Sequence, residues 1–400
     1  MTTTASGALN GVKVVDLTRV LAGPLCTQML ADHGAQVVKV EPPSGDETRG
    51  LGPPFDGEGN AAYFLALNRG KQAISLDLSK PEAQDVLHRL LADADVLVEN
   101  FLPGTLERWG LGYEQTLSAR YPRLIHCSIT GFGNDGPLGG LPGYDAVLQA
   151  MCGLMSINGD ECSGTTRVGM PIVDHLTGYV ALTGILMALQ ARHASGRGQR
   201  VEATLYDTAL SLLLPHASNW FASKDSPRLL GSAHPNIAPY DKFRAQDGEL
   251  FIGILNDAQF RRLGACLGLP DLPDDARFAS NSLRVGHRAA LKAVIEAAIA
   301  DRACGPLCEA LMRAGVPAGA VNSVPQALAH AHCEHRDIVV RRDHYTGLRS
   351  PMRLLGTPGS PGKRPPGFAQ DTEAVLTGLG YSKEDRQRLR DTGAAPGPRT

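Results

Sequence analysis

Much of what this chain lacks is informative. Its 400 residues hold no Cys-x-x-Cys pair, no G-x-x-x-x-G-K-[ST] loop, no G-x-S-x-G elbow and a net charge of only −2 at neutral pH. The usual marks of a P-loop nucleotide hydrolase and of a serine hydrolase are therefore missing. A near-neutral balance supplies no electrostatic footprint for nucleic acid or an anionic membrane, so an anionic ligand must be held by local cations. Eight cysteines lie scattered at 26, 127, 152, 162, 266, 304, 308 and 333. That spacing suits reduced thiols better than a disulfide framework. The first ten residues have no basic region, no apolar run and no arginine. Neither a secretory signal nor a mitochondrial transit peptide is expected, which points to the cytoplasm. The most apolar stretch, around 179–189, reads as too short and too interrupted to cross a bilayer.

Hydrophobic residues at 43% and charged ones at 20% describe an ordinary globular chain, long enough for two domains. Strand-like runs at 12–17, 36–40, 74–78, 96–98 and 124–129 alternate with helical segments from Pro24 to His33 and from Pro81 to about Asp93. Alternation at this spacing predicts βαβ units in a doubly wound, mostly parallel α/β sheet. The pattern turns helical from 144 to 193 and again from 204 to 222. Residues 224–236 read as a linker, and Asp247-Gly248 closes a hairpin between 240–243 and 250–255. We therefore expect a discontinuous large α/β domain over 1–200 and 330–400, a linker helix over 201–224 and a smaller α+β domain over 225–325. The tail from Gly393 is expected to be disordered.

Four features invite chemical readings. Gly131-Phe-Gly-Asn-Asp-Gly136 matches the dinucleotide fingerprint, but Pro137-Leu-Gly-Gly-Leu-Pro142 follows it where a phosphate-binding helix should start, so it reads as a turn. His330, His332, Cys333 and His335 cannot all face one point, and no metal site is assigned. Arg19, Lys39, Arg69, Lys71, Lys80 and Arg108 fall next to predicted strand ends, where open α/β sheets bind ligands. The fourth is Asp174, in Gly169-Met-Pro-Ile-Val-Asp-His-Leu-Thr-Gly178, ahead of a long apolar helix. Read plainly it is a helix cap. In that position the first-turn amides and the helix dipole are expected to keep it ionised at neutral pH, and an ionised, poorly hydrated carboxylate can attack an activated acyl group.

Longer blocks resolve the choice. Gly11-Val-Lys-Val-Val-Asp-Leu-Thr-Arg-Val-Leu-Ala-Gly-Pro24, Gly34-Ala-Gln-Val-Val-Lys-Val-Glu-Pro42, Asn68-Arg-Gly-Lys71, Val98-Glu-Asn-Phe-Leu-Pro-Gly104 and Gly196-Arg-Gly-Gln199 occur in the order seen in class III coenzyme A transferases. The chain resembles that family, which includes formyl-CoA transferase and the 2-methylacyl-CoA racemases, from about residue 10 to 390. By position the resemblance makes Asp174 the nucleophile. It implies coenzyme A contacts at Leu21 and Ala22, at Leu76, Asp77, Leu78 and Ser79, at Asn100, Phe101 and Leu102, at Arg108, and at Tyr144 and Asp145. It also implies an interlocked homodimer. Coenzyme A enters as substrate, and no permanently bound cofactor is expected.

The departures are as telling. Leu21 stands where formyl-CoA transferase has glutamine, Pro142 where it has lysine, and Gly231-Ser-Ala-His-Pro-Asn236 near where its run of four glycines would lie. Oxalate is therefore not the expected acid. Racemases place histidine where this chain has Tyr144, and a tyrosine with a pKa near 10 is poorly poised to abstract a proton beside a thioester. A transferase is thus expected ahead of a racemase. A non-catalytic acyl-CoA-binding protein ranks below both, because binding alone gives no reason for Asp174. Arg19-Val-Leu-Ala-Gly-Pro24 and Gly231 to Tyr240 resemble the succinyl-CoA:dicarboxylate branch, which includes the succinate–hydroxymethylglutarate transferases. A second carboxylate requires a cation, and Arg49 and His234 are the candidates.

Overall fold

A computed structural model describes residues 7–342 and 345–398. In chain order, β1 (Lys13–Asp16), α1 (Ala22–Asp32), β2 (Gln36–Glu41), α2 (Ala62–Leu67), β3 (Gln72–Ser75), α3 (Pro81–Leu91), β4 (Val96–Glu99), α4 (Thr105–Arg108), α5 (Ser118–Arg120), β5 (Ile125–Thr130) and α6 (Asp145–Met151) follow one another. The short strands β6 (Gly159–Asp160) and β7 (Gly164–Thr165) precede the long helix α7 (Ile172–Ser195) and β8 (Arg200–Thr204). Six strands pair in the order β3-β2-β1-β4-β5-β8, and every pairing is parallel. All four residues of β4 and all six of β5 are buried. Strands buried along their whole length suit a sheet covered on both faces.

The winding of the sheet creates the crevice. From β1 the chain moves outward through β2 and β3. It then returns to the other side of β1 with β4 and continues outward to β5 and β8. The carboxyl ends of β1 and β4 are therefore the topological switch point, where such sheets leave room for a ligand.

Two glycines set how closely the helices approach there. A Cβ on Gly178 of α7 would meet the Ala22 carbonyl oxygen at 2.8 Å, so the start of α1 lies directly against the second turn of α7. A Cβ on Gly23 would strike the Thr18 side chain at 2.3 Å, so the loop before α1 folds back onto the helix.

By its contacts the chain divides into two compact units. One comprises 1–152, 169–212 and 332–400; the other comprises 153–168 and 213–331. The second unit carries the antiparallel strands Tyr240–Arg244, Glu249–Gly253 and Ala318–Ala320. Its core includes Phe243, Ile252, Phe260, Phe278 and Ile295.

Several expectations need correcting. Residues 201–224 are not one linker helix: Val201–Thr204 belong to β8 at the edge of the parallel sheet, followed by helices Leu205–Ser211 and His216–Ser223. Residues 153–168, assigned to the large domain, group with the second unit. The tail is not loose from Gly393 onward, because Ala394 and Ala395 are fully buried in the core and Ala394 accepts the Asp77 amide at 2.9 Å. Residues 399 and 400 lie outside the described residues. Helix α7 runs 24 residues with a window of mean hydropathy 1.5, so its length and composition would let it cross a bilayer. Here it packs on α1 and beside β5 and β8 as a core helix.

Gly178→Ala is expected to destabilise the fold by roughly 1–3 kcal/mol, because backbone rather than a flexible side chain blocks the new methyl. Chemical denaturation measures this directly. An unchanged midpoint would show that α1 can retreat freely.

Candidate active site

The crevice at the switch point is a cleft of about 270 Å³. Its lining includes Arg19, Val20, Leu21 and Ala22 after β1, Asn100, Phe101 and Leu102 after β4, then Tyr144 and Asp174. A second cleft is lined by Leu76, Asp77, Leu78, Ser79 and Trp109, and shares Arg19, Phe101 and Leu102 with the first. The residues implied as coenzyme A contacts thus fall around two adjoining hollows. Arg108 and Asp145 line neither, and Arg108 Nη2 donates to Thr105 Oγ1 at 2.9 Å.

Asp174 is the third residue of α7, and its side chain does not cap the helix. The first amides are taken by another carboxylate: Asp145 Oδ2 accepts from Val173 N at 2.8 Å and from Asp174 N at 3.2 Å. Asp145 Oδ1 accepts from Gln149 Nε2 at 2.6 Å. Asp145 therefore sits beneath the helix start as its cap rather than in the open cleft, where Tyr144 is 69% exposed. This reverses one expectation. Burial, and next the negative charge of Asp145, push the Asp174 carboxyl up to about 7, so at neutral pH it is only partly ionised. Among the described residues no cation pairs with it, whereas Glu47 across the cleft is held by Arg19 at 2.6 Å. Burial, with the charges of Asp174, Asp145 and Asp46, pushes Tyr63 up to about 12 and keeps its hydroxyl a donor.

The loops bearing the cleft rest on buried ion pairs. Lys71 meets Asp16 at 3.0 Å and Lys39 meets Asp46 at 2.9 Å, all four side chains fully enclosed. Burial alone would raise the Asp16 carboxyl. The Lys71 and Lys39 charges, with the Thr18 and Thr27 hydroxyls, bring it down to about 2. Arg69 is locked to Asp32 in the same way. These three cations are therefore structural and are not available to phosphates. Above this layer Val20 adopts φ 69°, a left-handed conformation that costs a β-branched residue roughly 1–3 kcal/mol.

The two acid-selecting candidates have partners of their own. Arg49 spends every donor internally: Nε and Nη2 on Glu41 at 2.8 and 2.7 Å, Nη1 on Asn60 at 3.1 Å, and both Nη atoms on the Pro366 carbonyl. A guanidinium has five donors, so none remains for a substrate carboxylate. His234 belongs to the second unit. Its Nδ1 accepts the Asn236 amide at 3.0 Å. Burial, with His216 and Arg288 nearby, holds its pKa below the usual histidine value, so it is a weak anion partner at neutral pH. Sequence reasoning missed Asp145 as a cap, and Glu47, Asp46 and Trp109 altogether. Only the Asp46-x-Thr48 turn carries a local signal, since its Oδ1 accepts the Thr48 amide.

Comparison with known proteins fits this geometry. Residues 9–372 match the model for CoA-transferase family III. The chain is similar to the succinate–glutarate CoA-transferase of Agrobacterium fabrum, 40% identical over 361 residues that cover 88% of this chain and 90% of that protein. It is also similar to the succinyl-CoA:glutarate CoA-transferase of Mus musculus, 36% identical and covering 92% and 85% of the two chains. A solved CAIB/BAIF family protein from Brucella suis superposes with a TM-score of 0.84 at 41% identity, covering 94% of this chain and 100% of that one. The chain belongs to CoA-transferase family III. It is a CoA-transferase whose substrates are coenzyme A thioesters and carboxylic acids.

The ionisation of Asp174 has two consequences. Folded chains keep a proton on it that unfolded chains release near the ordinary value of 3.8. Its contribution to stability therefore falls as pH rises from about 4 to about 7 and stays lost above that. Asp174→Asn should stabilise the protein at pH 8 by roughly 2–4 kcal/mol and much less at pH 4. A pH-independent difference between the two would contradict this. A reaction that uses the Asp174 carboxylate should show kcat/KM rising with pH to a midpoint near 7. In Asp145→Asn, which keeps an acceptor for the two amides but drops the charge, that midpoint should move to lower pH.

Proposed function

We propose that Asp174 is the nucleophile of a succinyl-CoA:dicarboxylate CoA-transferase. The observation that supports this most is a carboxyl set in the switch-point cleft, with no cation among the described residues paired to it, poised to ionise near neutrality. In the proposed sequence the Asp174 carboxylate attacks the donor thioester carbonyl. A mixed anhydride forms and the coenzyme A thiolate leaves. The thiolate then attacks the aspartyl carbonyl, giving an Asp174 thioester and releasing the donor acid. The acceptor carboxylate attacks that thioester, forming a new anhydride and freeing thiolate again. Thiolate attack on the acceptor's acyl carbonyl yields the new acyl-CoA and restores Asp174. Partial loss of hydration on burial makes the ionised form more reactive than an exposed, fully hydrated carboxylate.

Dicarboxylate preference is supported by the relatives, named for succinate–glutarate, succinyl-CoA:glutarate and, in Haloarcula hispanica, succinyl-CoA:mesaconate transfer. With Arg49 committed to Glu41, the cation in the cleft lining is Arg19. A second carboxylate can draw it from its half-exposed partner Glu47. Arg19→Met should cut the preference for dicarboxylate over monocarboxylate acceptors about 10- to 100-fold, the loss of one charge-assisted contact. A matrix of acyl-CoA donors against free acids, read by mass spectrometry of the new thioesters, tests this. Asp174→Ala should abolish transfer between every pair; near-wild-type turnover would end the assignment. If no acid accepts coenzyme A but a chiral 2-methylacyl-CoA loses its configuration, the racemase reading replaces it.

The same reading includes an interlocked homodimer in the cytoplasm. It is supported by the discontinuous first unit, and by α7, whose outer face leaves Val180 and Met187 41% and 67% exposed on an otherwise core helix. Eight free cysteines fit a reducing compartment. Light scattering at micromolar concentration should give the mass of two chains of 42.4 kDa; a single-chain mass contradicts the dimer.

A further inference from the structure

The left-handed Val20 lies between β1 and α1 in the lining of the cleft that holds Asp174. A β-branched residue stays in that region only where its surroundings over-determine it. Three elements do so here. Asn100, after β4, grips Arg19 at both ends: its Oδ1 accepts Arg19 N at 2.9 Å and its Nδ2 donates to Arg19 O at 2.8 Å. Lys39, in β2, donates to the Thr18 carbonyl at 2.7 Å. Asp46 accepts Lys39 Nζ at 2.9 Å on one oxygen and the Val20 amide at 3.4 Å on the other. Four successive backbone groups of one turn thus have side-chain partners drawn from outside the turn.

We propose that Asn100 and Asp46 are positioning residues for coenzyme A transfer. Together they hold the Thr18–Val20 turn in its left-handed form and so fix where the Leu21–Ala22 backbone meets the reacting thioester. That backbone cannot drift unnoticed, because Ala22 O lies against Gly178, one helical turn beyond Asp174 on the same face of α7. The inference rests on the reading of Asp174 as nucleophile. It gives Asn100 a role apart from contact with coenzyme A, since both ends of its amide already bind Arg19.

The test is a double-mutant cycle between Asn100 and Val20, read as kcat and KM separately. Asn100→Ala should lower kcat by about 30-fold while KM for the acyl-CoA changes by less than about threefold, the signature of misplaced reacting groups. Glycine adopts positive φ without strain. Adding Val20→Gly to Asn100→Ala should therefore recover about tenfold in kcat, because the turn no longer needs the clamp to stay left-handed. A residue that only touches coenzyme A could not be rescued in this way. A double variant no faster than Asn100→Ala, or a loss confined to KM, overturns the proposal. If Asn100→Ala loses its folded circular dichroism, Asn100→Asp keeps the acceptor for Arg19 N, drops the donor to Arg19 O and serves in the same cycle. Failure of the nucleophile reading would appear separately, as activity in Asp174→Ala, whatever the rescue shows.

Discussion

Asp145 reaches from the first position of α6 to accept the amides of Val173 and Asp174, and in doing so places a second carboxyl at the start of α7 beside the first. Helix starts usually stabilise one anion. Here the stabilising amides go to Asp145, while Asp174 receives the burial and the like charge that push it up to about 7. The consequence is a division of labour within one motif. One carboxylate fixes the geometry of the helix, and the other is left under-stabilised. On the proposed role of Asp174, reactivity and stability are opposed at this point, as is common where an active site retains groups that the fold alone would not choose.

The remainder of the first unit supports that pair. The parallel sheet reverses its winding between β1 and β4, which brings the β1–α1 turn and the Asn100–Leu102 segment to the same crevice. Beneath them Lys71–Asp16 and Lys39–Asp46 are enclosed ion pairs, and losing one partner of such a pair typically costs about 3–5 kcal/mol. Gly178 and Gly23 remove the two side chains that would otherwise hold α1, α7 and the Thr18 loop apart. Rigid packing below and a hydrogen-bonded turn above fix the surroundings of Asp174.

Local pattern carried most of the architecture. Val12 to Leu17, Gln36 to Val40 and Leu124 to Ile129 are short and rich in branched apolar residues, and each holds a strand of the parallel sheet. Contacts at Leu76 to Ser79 and Phe101 to Leu102 are implied by the family resemblance alone, and in the structure these residues follow the ends of β3 and β4. What stayed hidden depends on long-range partners. Nothing around Asp145 announces that its acceptors serve amides 28 and 29 positions away. Arg49 looked free in the run Asp46-Glu-Thr-Arg49, yet Glu41 and the Pro366 carbonyl absorb its donors. Ala394 and Ala395 resembled a loose tail because small residues give no periodicity, although they fill a gap in the core. Val201 to Thr204 was absorbed into a helix because a strand that short competes poorly with the longer helical pattern after it.

Single-turnover trapping at varied pH addresses the central claim most directly. Enzyme mixed with acyl-CoA and quenched into hydroxylamine would be digested, and the hydroxamate mapped by mass spectrometry. The expected result is modification at Asp174 alone. Its rate of formation should be half-maximal near pH 7 in the wild type and at lower pH in Asp145→Asn. Modification at another carboxyl, or a rate already at its plateau near pH 4, would contradict the account of Asp174 as a nucleophile held near neutrality by burial and by Asp145.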